Sequence, residues 1–400
     1  MPDNEIPRMS TSGLARNDSD LTILPVRTAQ ERLAFIHFQW EVYKDDPYWV
    51  PPLISERVEF LDQERHPFYQ HAEVQLFMAR RDGKPVGTIA AILNHRHNEF
   101  QEEQVGFFGL FEVLPDREAA EALLETACQW ARERGLTALR GPANFSTNEE
   151  IGLLVDGWDG PPVVMMTYNP RYYVDLIEGA GFHKAMDLVA YMLDLTQFGP
   201  RGENLPPKLL RVANKVLERG GFTVRKASMR HFEQEVALFK RIYNSAWEKN
   251  WGFVPLSDGE IEHIAAGLKQ MVDTDVIWFA EKDGEPIGAM LPLPDLNQAL
   301  IHAYPRPGVP EWWTMAKLLW HWKVRHRVDT IRGFAGGLLE QYRGRGVEGA
   351  LFLKMAEAAL PRYRRAEISW ILENNMMMRR TAEMLGGQVY RTYRVYEKEL

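Results

Sequence analysis

The chain has 400 residues, more than a single core usually serves, so two domains are the default. Its 45% apolar and 26% charged residues exclude a disordered or fibrous protein, and a net charge of −8 argues against a general nucleic-acid binder. One cysteine, Cys128, excludes an intrachain disulfide and any zinc site made of several thiolates. No apolar run reaches the length of a membrane-spanning helix, and the first residues hold no export stretch, so the cytoplasm is the expected compartment.

Residues 1–20 are polar and aperiodic and are expected to form a flexible tail. A strand over 21–26 and a helix over 29–43 follow, then an irregular segment broken by Pro47, Pro51 and Pro52. Two strands, 73–80 and 85–92, flank the turn Asp82-Gly83. His95 and His97 lack a third ligand at helical spacing, so no metal site is expected there. Next come a strand over 105–112, a helix over 117–134 that holds Cys128, and a strand over 136–140. The loops after it are dense in polar and turn residues, among them Asn144, Asn148, Asp156 and Asp159. A short helix begins near Tyr168 and ends at 179–182, and a strand over 188–193 closes the half.

Gly- and Pro-rich residues 197–207 are the best linker. The second half then repeats the order of the first: strand 222–227, helix 233–247, helix 258–271, and a hairpin about Asp283-Gly284. Arg81-Asp82-Gly83-Lys84-Pro85-Val86-Gly87 and Lys282-Asp283-Gly284-Glu285-Pro286-Ile287-Gly288 are the clearest sign of duplication. The division expected is a tail (1–20), a first domain (21–196), a linker with the start of the second domain (197–220), and a second domain (221–400). Trp312, Trp313, Trp320 and Trp322 lie in the richest apolar stretch, with Trp312, Met315, Leu319 and Trp322 on one helical side. That side would pack the domains together or line a lipid-like groove.

The second half also holds strand 330–335, the turn Gln341-Tyr342-Arg343-Gly344-Arg345-Gly346, and a helix beginning at Val347. Converging backbone N–H groups and the helix dipole make such a turn an anion site, and Arg343 and Arg345 would add charge to phosphate oxygens. In the first half the same place reads Leu114-Pro115-Asp116-Arg117-Glu118, with no glycine and two carboxylates that would repel a pyrophosphate.

Gln341-x-x-Gly344-x-Gly346 resembles the acyl-CoA-binding motif of the GCN5-related N-acetyltransferase (GNAT) superfamily. Residues 367–375 and the helix ending Leu385-Gly386-Gly387 resemble that superfamily's next strand, asparagine and short helix, with Gly387 standing where phenylalanine is usual. The resemblance implies an α/β fold: a tandem duplication of GNAT-like domains, each a mixed central sheet flanked by helices. It implies an acyl-CoA-dependent N-acyltransferase in which the amine attacks the thioester directly. Acetyl-CoA or a longer acyl-CoA is the co-substrate, with no metal. Gln341, Arg343, Gly344, Arg345, Gly346, Val347 and Asn375 would hold it.

The resemblance further implies a proton donor among the last tyrosines. Strand alternation sets Tyr393 on the face opposite Tyr390 and Tyr396, and Tyr393 and Tyr396 are retained as catalytic candidates. Glu373, at the end of the strand beside the motif, and Asp295 are the carboxylates best placed to serve as a base. Asn297 and His302 would meet the substrate from the second half, and Asn144, Asn148, Asp156 and Tyr168 from the first. Residues 144–148, 154–159, 165–170 and 243–247 are similar to a group of bacterial two-domain proteins of this superfamily, which includes enzymes of the ceramide synthase kind that acylate long-chain amino alcohols. The acceptor is then a small-molecule or lipid-like amine, with no nucleic acid, and a homodimer is compatible. tRNA-dependent aminoacyl transfer and non-catalytic acyl-CoA binding are the competing readings.

Overall fold

The protein is described here from a computed structural model covering residues 20–269 and 271–400. The expected tail falls almost wholly outside these residues. The first half contributes β1 (Leu21–Pro25), α1 (Ala29–His37), α2 (Gln39–Val42), α3 (Ile54–Phe60), β2 (Ala72–Arg81), β3 (Lys84–Asn94) and α4 (His95–Gln101). It continues through β4 (Val105–Val113), α5 (Arg117–Arg132), β5 (Ala138–Gly141), β6 (Ala143–Asn144), β7 (Glu150–Ile151), β8 (Leu153–Asp156), α6 (Tyr173–Gly179) and β9 (His183–Asp194). The second half contributes α7 (Pro207–Arg219), β10 (Thr223–Lys226), α8 (Phe232–Ala246), α9 (Asp258–Leu268), β11 (Trp278–Lys282), β12 (Glu285–Pro294), α10 (Asn297–Ala303) and α11 (Glu311–Leu319). It ends with β13 (Thr330–Leu338), α12 (Val347–Ala359), β14 (Arg365–Leu372), α13 (Met376–Met384) and β15 (Gln388–Glu399).

The two Asp-Gly turns adopt the same left-handed pair, Asp82 and Gly83 at φ 50° and 78°, Asp283 and Gly284 at 53° and 82°. Both central residues at positive φ are what a tight two-residue hairpin requires, and Asp-Gly supplies them cheaply. Each turn opens a sheet that runs the same way, β1-β2-β3-β4-β5 in one half and β10-β11-β12-β13-β14 in the other. The last strands do not return to their own halves. β9 pairs with β14 and β15 pairs with β5, while β9 and β15 pair with each other at the centre. A single 13-stranded sheet results, in which each half is completed by the other's final strand.

One face of the sheet carries α5 and α6 over the first half and α7, α12 and α13 over the second. α5 shows why it docks there: Ala119, Ala120, Leu123, Leu124, Ala127, Cys128 and Ala131 recur at helical spacing and are all buried. The opposite face carries α1, α3 and loops 143–168 over the first half, and α8, α9 and α10 over the second.

Several expectations need correction. The helix expected over 29–43 breaks at Phe38 into α1 and α2. Residues 207–219, read within the linker and start of the second domain and given no element there, form helix α7, whose Ala213 is buried against α12. In the tryptophan-rich segment the inward side is Thr314 and Leu318, with Met315 and Trp322 half-buried, while Trp312 and Leu319 are exposed. Trp312 therefore does not pack the halves together; the segment meets the first half through Glu311, which accepts from Ser55. A π-turn over Trp320–Val324 shifts its periodicity.

Candidate functional site

Two wedges open in the sheet, one in each half, and they differ in what fills them. β13 runs parallel to β14 only over Thr330–Gly333. At Phe334 a bulge interrupts its pairing with β12, since Leu291 faces Ala335 and Pro292 faces Gly333. The extra residue bends the strand. Phe334–Leu338 keeps β12 on one side and has no β14 pairing on the other. β4 likewise stays with β5 only over Val105–Phe107 and is bulged near Leu110. Here, however, the chain plugs its own gap. The Asn144 Oδ1 accepts the Leu110 N–H at 2.8 Å, and a side chain at Gly109 would run into the Ala143 carbonyl.

The turns that follow differ in the same sense. In the second half Gly344 and Gly346 stand at φ 71° and 86°, where a side chain is strained. A Cβ on Gly346 would come within 2.7 Å of Val216 on α7, so this glycine also permits close packing. No side chain caps α12, whose start is anchored by buried Val347. Three backbone donors of the turn are engaged: Tyr342 N–H donates to the Leu339 carbonyl, Arg343 N–H to the Glu340 carbonyl, and Gly344 N–H to Glu348 Oε1 at 2.8 Å. In the first half Asp116 caps α5, accepting from Ala119 N–H, and Arg81 forks onto its carboxylate at 2.9 and 3.0 Å. An acidic side chain thus sits where an anion would have to bind.

The arginines of the open turn are unequal. Arg343 folds back, donating from Nε to the Leu338 carbonyl at 3.2 Å and from Nη2 to the Ala246 carbonyl at 2.8 Å, and so acts as a brace. Arg345 is exposed, its guanidinium 5.9 Å from the Tyr342 ring centre, and Gln341 is exposed beside it. Asn375 caps α13 by accepting the Met378 N–H.

A polar cluster lies at the apex of the open wedge. Glu367, fully buried on β14, accepts from Ser369 Oγ at 2.5 Å and from the Tyr390 hydroxyl at 2.9 Å. Its neighbour across the parallel pair, Arg332, donates to Ser369 Oγ and to the carbonyls of Val164 and Met165. Burial pushes the Glu367 carboxyl up despite Arg332, and burial pulls Arg332 down. Buried Arg391 donates to the carbonyls of Gly157 and Gly160. Its Nη1 and the Tyr393 hydroxyl, also buried, make no hydrogen bond of good geometry among the described residues, although the guanidinium and the hydroxyl interact with each other. Burial holds Tyr393 up at about 12.

One bulge in β15 changes the alternation of its tyrosines, and for Tyr390 alone. Tyr390 falls between Val389 and Arg391 as an extra residue, whereas the shift between Val395 and Tyr396 adds Ala185 to β9 and leaves Tyr393 and Tyr396 on opposite faces as expected. Tyr390 and Tyr393 therefore pack on the same face. Tyr396 lies on the other, opposite Gly141 of the first half, and donates to Glu178 on α6.

Asp295 is buried next to this apex, accepting Val164 N–H at 2.9 Å, and burial pushes its carboxyl up to about 7. Asn297 donates to the Pro162 carbonyl at 3.0 Å. Together with Arg332 they clamp residues 162–165 of the first half. Glu373 is held by Lys184 at 2.7 Å and by the Asp187 N–H at 3.1 Å. His302 faces Arg327 at 2.7 Å and the His321 ring, and burial lowers its basicity. Asn148 joins the halves, accepting from the Tyr243 hydroxyl at 2.7 Å and donating to the Val254 carbonyl. Tyr168 donates to Asp46, in an open cleft walled by Tyr43, Tyr48, Trp158 and Tyr172. Asp156 is exposed at the end of β8. The open wedge thus gathers Tyr393, Asp295 and Asn297 but not Tyr396, His302, Tyr168 or Asp156.

The sequence reading missed Glu367, which holds the hydroxyl of Tyr390, and also a seam of ionisable groups between the halves. Glu150 is paired with Arg57 at 2.8 Å and bonded by Asn144 Nδ2 at 2.9 Å. Glu149 lies 3.4 Å from His66. Burial pushes Glu149 up to about 8 and, with His263, His66 down to about 4. The side chains of Glu149 and Glu150 still keep 18% and 24% of their surface exposed. Adjacent carboxylates in the sequence were the only available signal, because their partners come from α3 and the turn before β2.

A small apolar hollow of about 70 Å³ adjoins the open wedge. It lies between α8, α9 and strands β11–β13, and Phe334, the bulged residue, forms part of its wall with Phe239, Ile261, Leu268 and Phe279. Among the described residues no group of three or more His, Cys, Asp and Glu side chains could hold a metal ion. His95 and His97 pair instead with Glu73 and Glu103.

Two like halves joined in one mixed sheet, with a splayed strand pair leading to a glycine turn and helix, define an acyltransferase architecture. The family model for the acetyltransferase (GNAT) family matches residues 36–148. The chain is 38% identical to the bacterial ceramide synthase of Caulobacter vibrioides, over 96% of this chain and 98% of that protein. It is 33% identical to protein YghO of Escherichia coli over 92% of each. A tandem GNAT protein from the clavulanic acid biosynthesis pathway superposes with a TM-score of 0.54 at 15% identity, covering 95% of this chain and 98% of that one. The chain belongs to the GNAT family, as a tandem member, and is an acyltransferase. The family match covers the first half, whose wedge is closed; the open turn lies outside the matched residues.

Proposed function

We propose that this protein is an acyl-CoA-dependent N-acyltransferase, with the co-substrate held by the second half (221–400) and the acceptor met at the seam with the first (21–196). The observation that carries the reading is the contrast between the two wedges: one is plugged by Asn144 and capped by Asp116, the other has two left-handed glycines and an uncapped helix. The α12 turn would take the pyrophosphate, with Arg345 adding charge once Glu348 swings aside. The unpaired edge of Phe334–Leu338 would bond the pantetheine.

The amine attacks the thioester carbonyl carbon, the C–S bond breaks, and the leaving thiolate takes a proton. Tyr393 is the proposed donor, since its buried hydroxyl, beside the Arg391 guanidinium, makes no hydrogen bond of good geometry among the described residues. Tyr390 and Glu367 form the proposed acceptor of the amine's proton, Tyr390 passing it to the carboxylate. Asp295 and Asn297 are proposed to position the first-half segment that walls the site.

An acyl chain longer than acetyl is favoured by the apolar lining of the hollow at Phe334. The ceramide synthase relative makes a lipid-like amino alcohol the acceptor class to try first. The test is amide formation from palmitoyl-CoA or acetyl-CoA with a long-chain amino alcohol, followed by free thiol release. Turnover lost in Tyr393→Phe with CoA affinity retained supports the assignment. CoA binding without turnover on any amine would instead favour a non-catalytic acyl-CoA-binding protein.

A further inference from the structure

The segment from α11 through Val324 carries a feature that the acyl-transfer site does not use. Trp312 is 70% exposed, Trp320 54% and Trp313 47%, and Leu319 and Val324 are exposed beside them. These residues follow helical spacing along one outward stripe, with Ala316 between them, while the inward side packs on α10. Three exposed indoles on one stripe are not explained by folding, because hiding them would have favoured the native state.

The charge around the stripe is equally one-sided. Residues 304–328 hold Arg306, Lys317, Lys323, Arg325 and Arg327 against one carboxylate, Glu311, in a chain whose net charge is −8. Glu311 is turned toward α3, where it accepts from Ser55. Lys317 and Lys323 lie over the rings of Trp313 and Trp322 rather than on carboxylates. Exposed indoles flanked by cations match the interface of a bilayer, where tryptophan sits at headgroup level and Lys and Arg meet anionic lipid. No helix among the described residues is long and apolar enough to cross a membrane, so the contact is one of lying on the surface.

We propose that the stripe formed by Trp312, Trp313, Leu319, Trp320 and Val324, with Lys323 and Arg325, docks the protein on an anionic bilayer surface. The segment leans on the first half near the seam, through Ser55–Glu311 and through Trp40 Nε1 donating to the Pro305 carbonyl. A lipid-like acceptor would therefore reach the seam from the docked side.

The test is co-sedimentation of the full chain with phosphatidylglycerol vesicles and with phosphatidylcholine vesicles. Wild type should partition at least ~10-fold more onto the anionic vesicles. Trp312→Ser with Trp320→Ser should weaken binding to both, and Lys323→Glu with Arg325→Glu should remove only the anionic preference. All these side chains are exposed, so an unchanged thermal transition separates lost docking from lost folding. The proposal is overturned if wild type stays in solution with anionic vesicles, or if the tryptophan variant sediments as wild type does. It is equally overturned if the stripe instead pairs two copies, seen as a dimer that the tryptophan substitutions dissociate without any vesicle binding.

Discussion

Glu348 occupies the place where the co-substrate's phosphates are proposed to bind, and its removal gives a sharp test. The carboxylate accepts the Gly344 N–H at 2.8 Å in the first turn of α12. CoA binding would have to break that bond and accept a nearby negative charge. A hydrogen bond to a charged acceptor contributes about 1.5–3 kcal/mol, and a carboxylate at a helix start about 0.3–1 kcal/mol. Part of the first quantity returns when the freed N–H meets a phosphate oxygen. Glu348→Ala should therefore bind CoA tighter by about 1–2 kcal/mol, roughly 5- to 30-fold, while losing up to about 1 kcal/mol of stability. Isothermal calorimetry at fixed ionic strength measures the first effect and thermal unfolding the second. Unchanged or weaker CoA binding in a folded variant would refute the placement of the pyrophosphate at this turn.

Other expectations follow from the same geometry. Asp116→Ala should leave CoA affinity unchanged while costing about 1 kcal/mol of stability, because it removes a helix cap and the Arg81 pair; calorimetry and denaturant unfolding check both. Residues 21–196 alone should fail to fold, since β5 would lose β15 and β9 would lose β14 and β15; a cooperative unfolding transition in that fragment would contradict it. Asp295 has its pKa raised from 3.8 to about 7, so its contribution is fully present below about 4 and is lost as pH rises through about 7. Asp295→Asn should flatten the fall of thermal stability across that window, and identical slopes in variant and wild type would show that the carboxyl titrates elsewhere.

Much of this molecule was legible in the sequence where structure is set by local chemistry. The paired Asp-Gly turns announced the duplication because a two-residue hairpin needs positive φ at both centres. The glycine turn before α12 could be read for the same reason. The absence of its counterpart in the first half was visible as Asp116 and Glu118, whose partner Arg81 was not. What local pattern does not encode is which strand pairs with which. β9 and β15 read as ordinary terminal strands, and their exchange between halves is a long-range choice. A bulge at Tyr390 reversed the inferred face of that tyrosine, because one extra residue flips a period-two pattern, while Tyr393 and Tyr396 kept their opposite faces. Glu367 read as a strand residue, since burial of a carboxylate beside Arg332 depends on a parallel pairing invisible to composition.

The central claim is that one half of the chain binds acyl-CoA, through the turn at Gly344 and Gly346. Titrating wild type and Gly344→Glu with CoA, acetyl-CoA and palmitoyl-CoA in a calorimeter tests it most directly. The account predicts a single site per chain, tightest for palmitoyl-CoA, that is lost in the folded variant because a side chain is forced into the left-handed turn and a like charge meets the phosphates. Two sites per chain, or undiminished binding in Gly344→Glu, would contradict it.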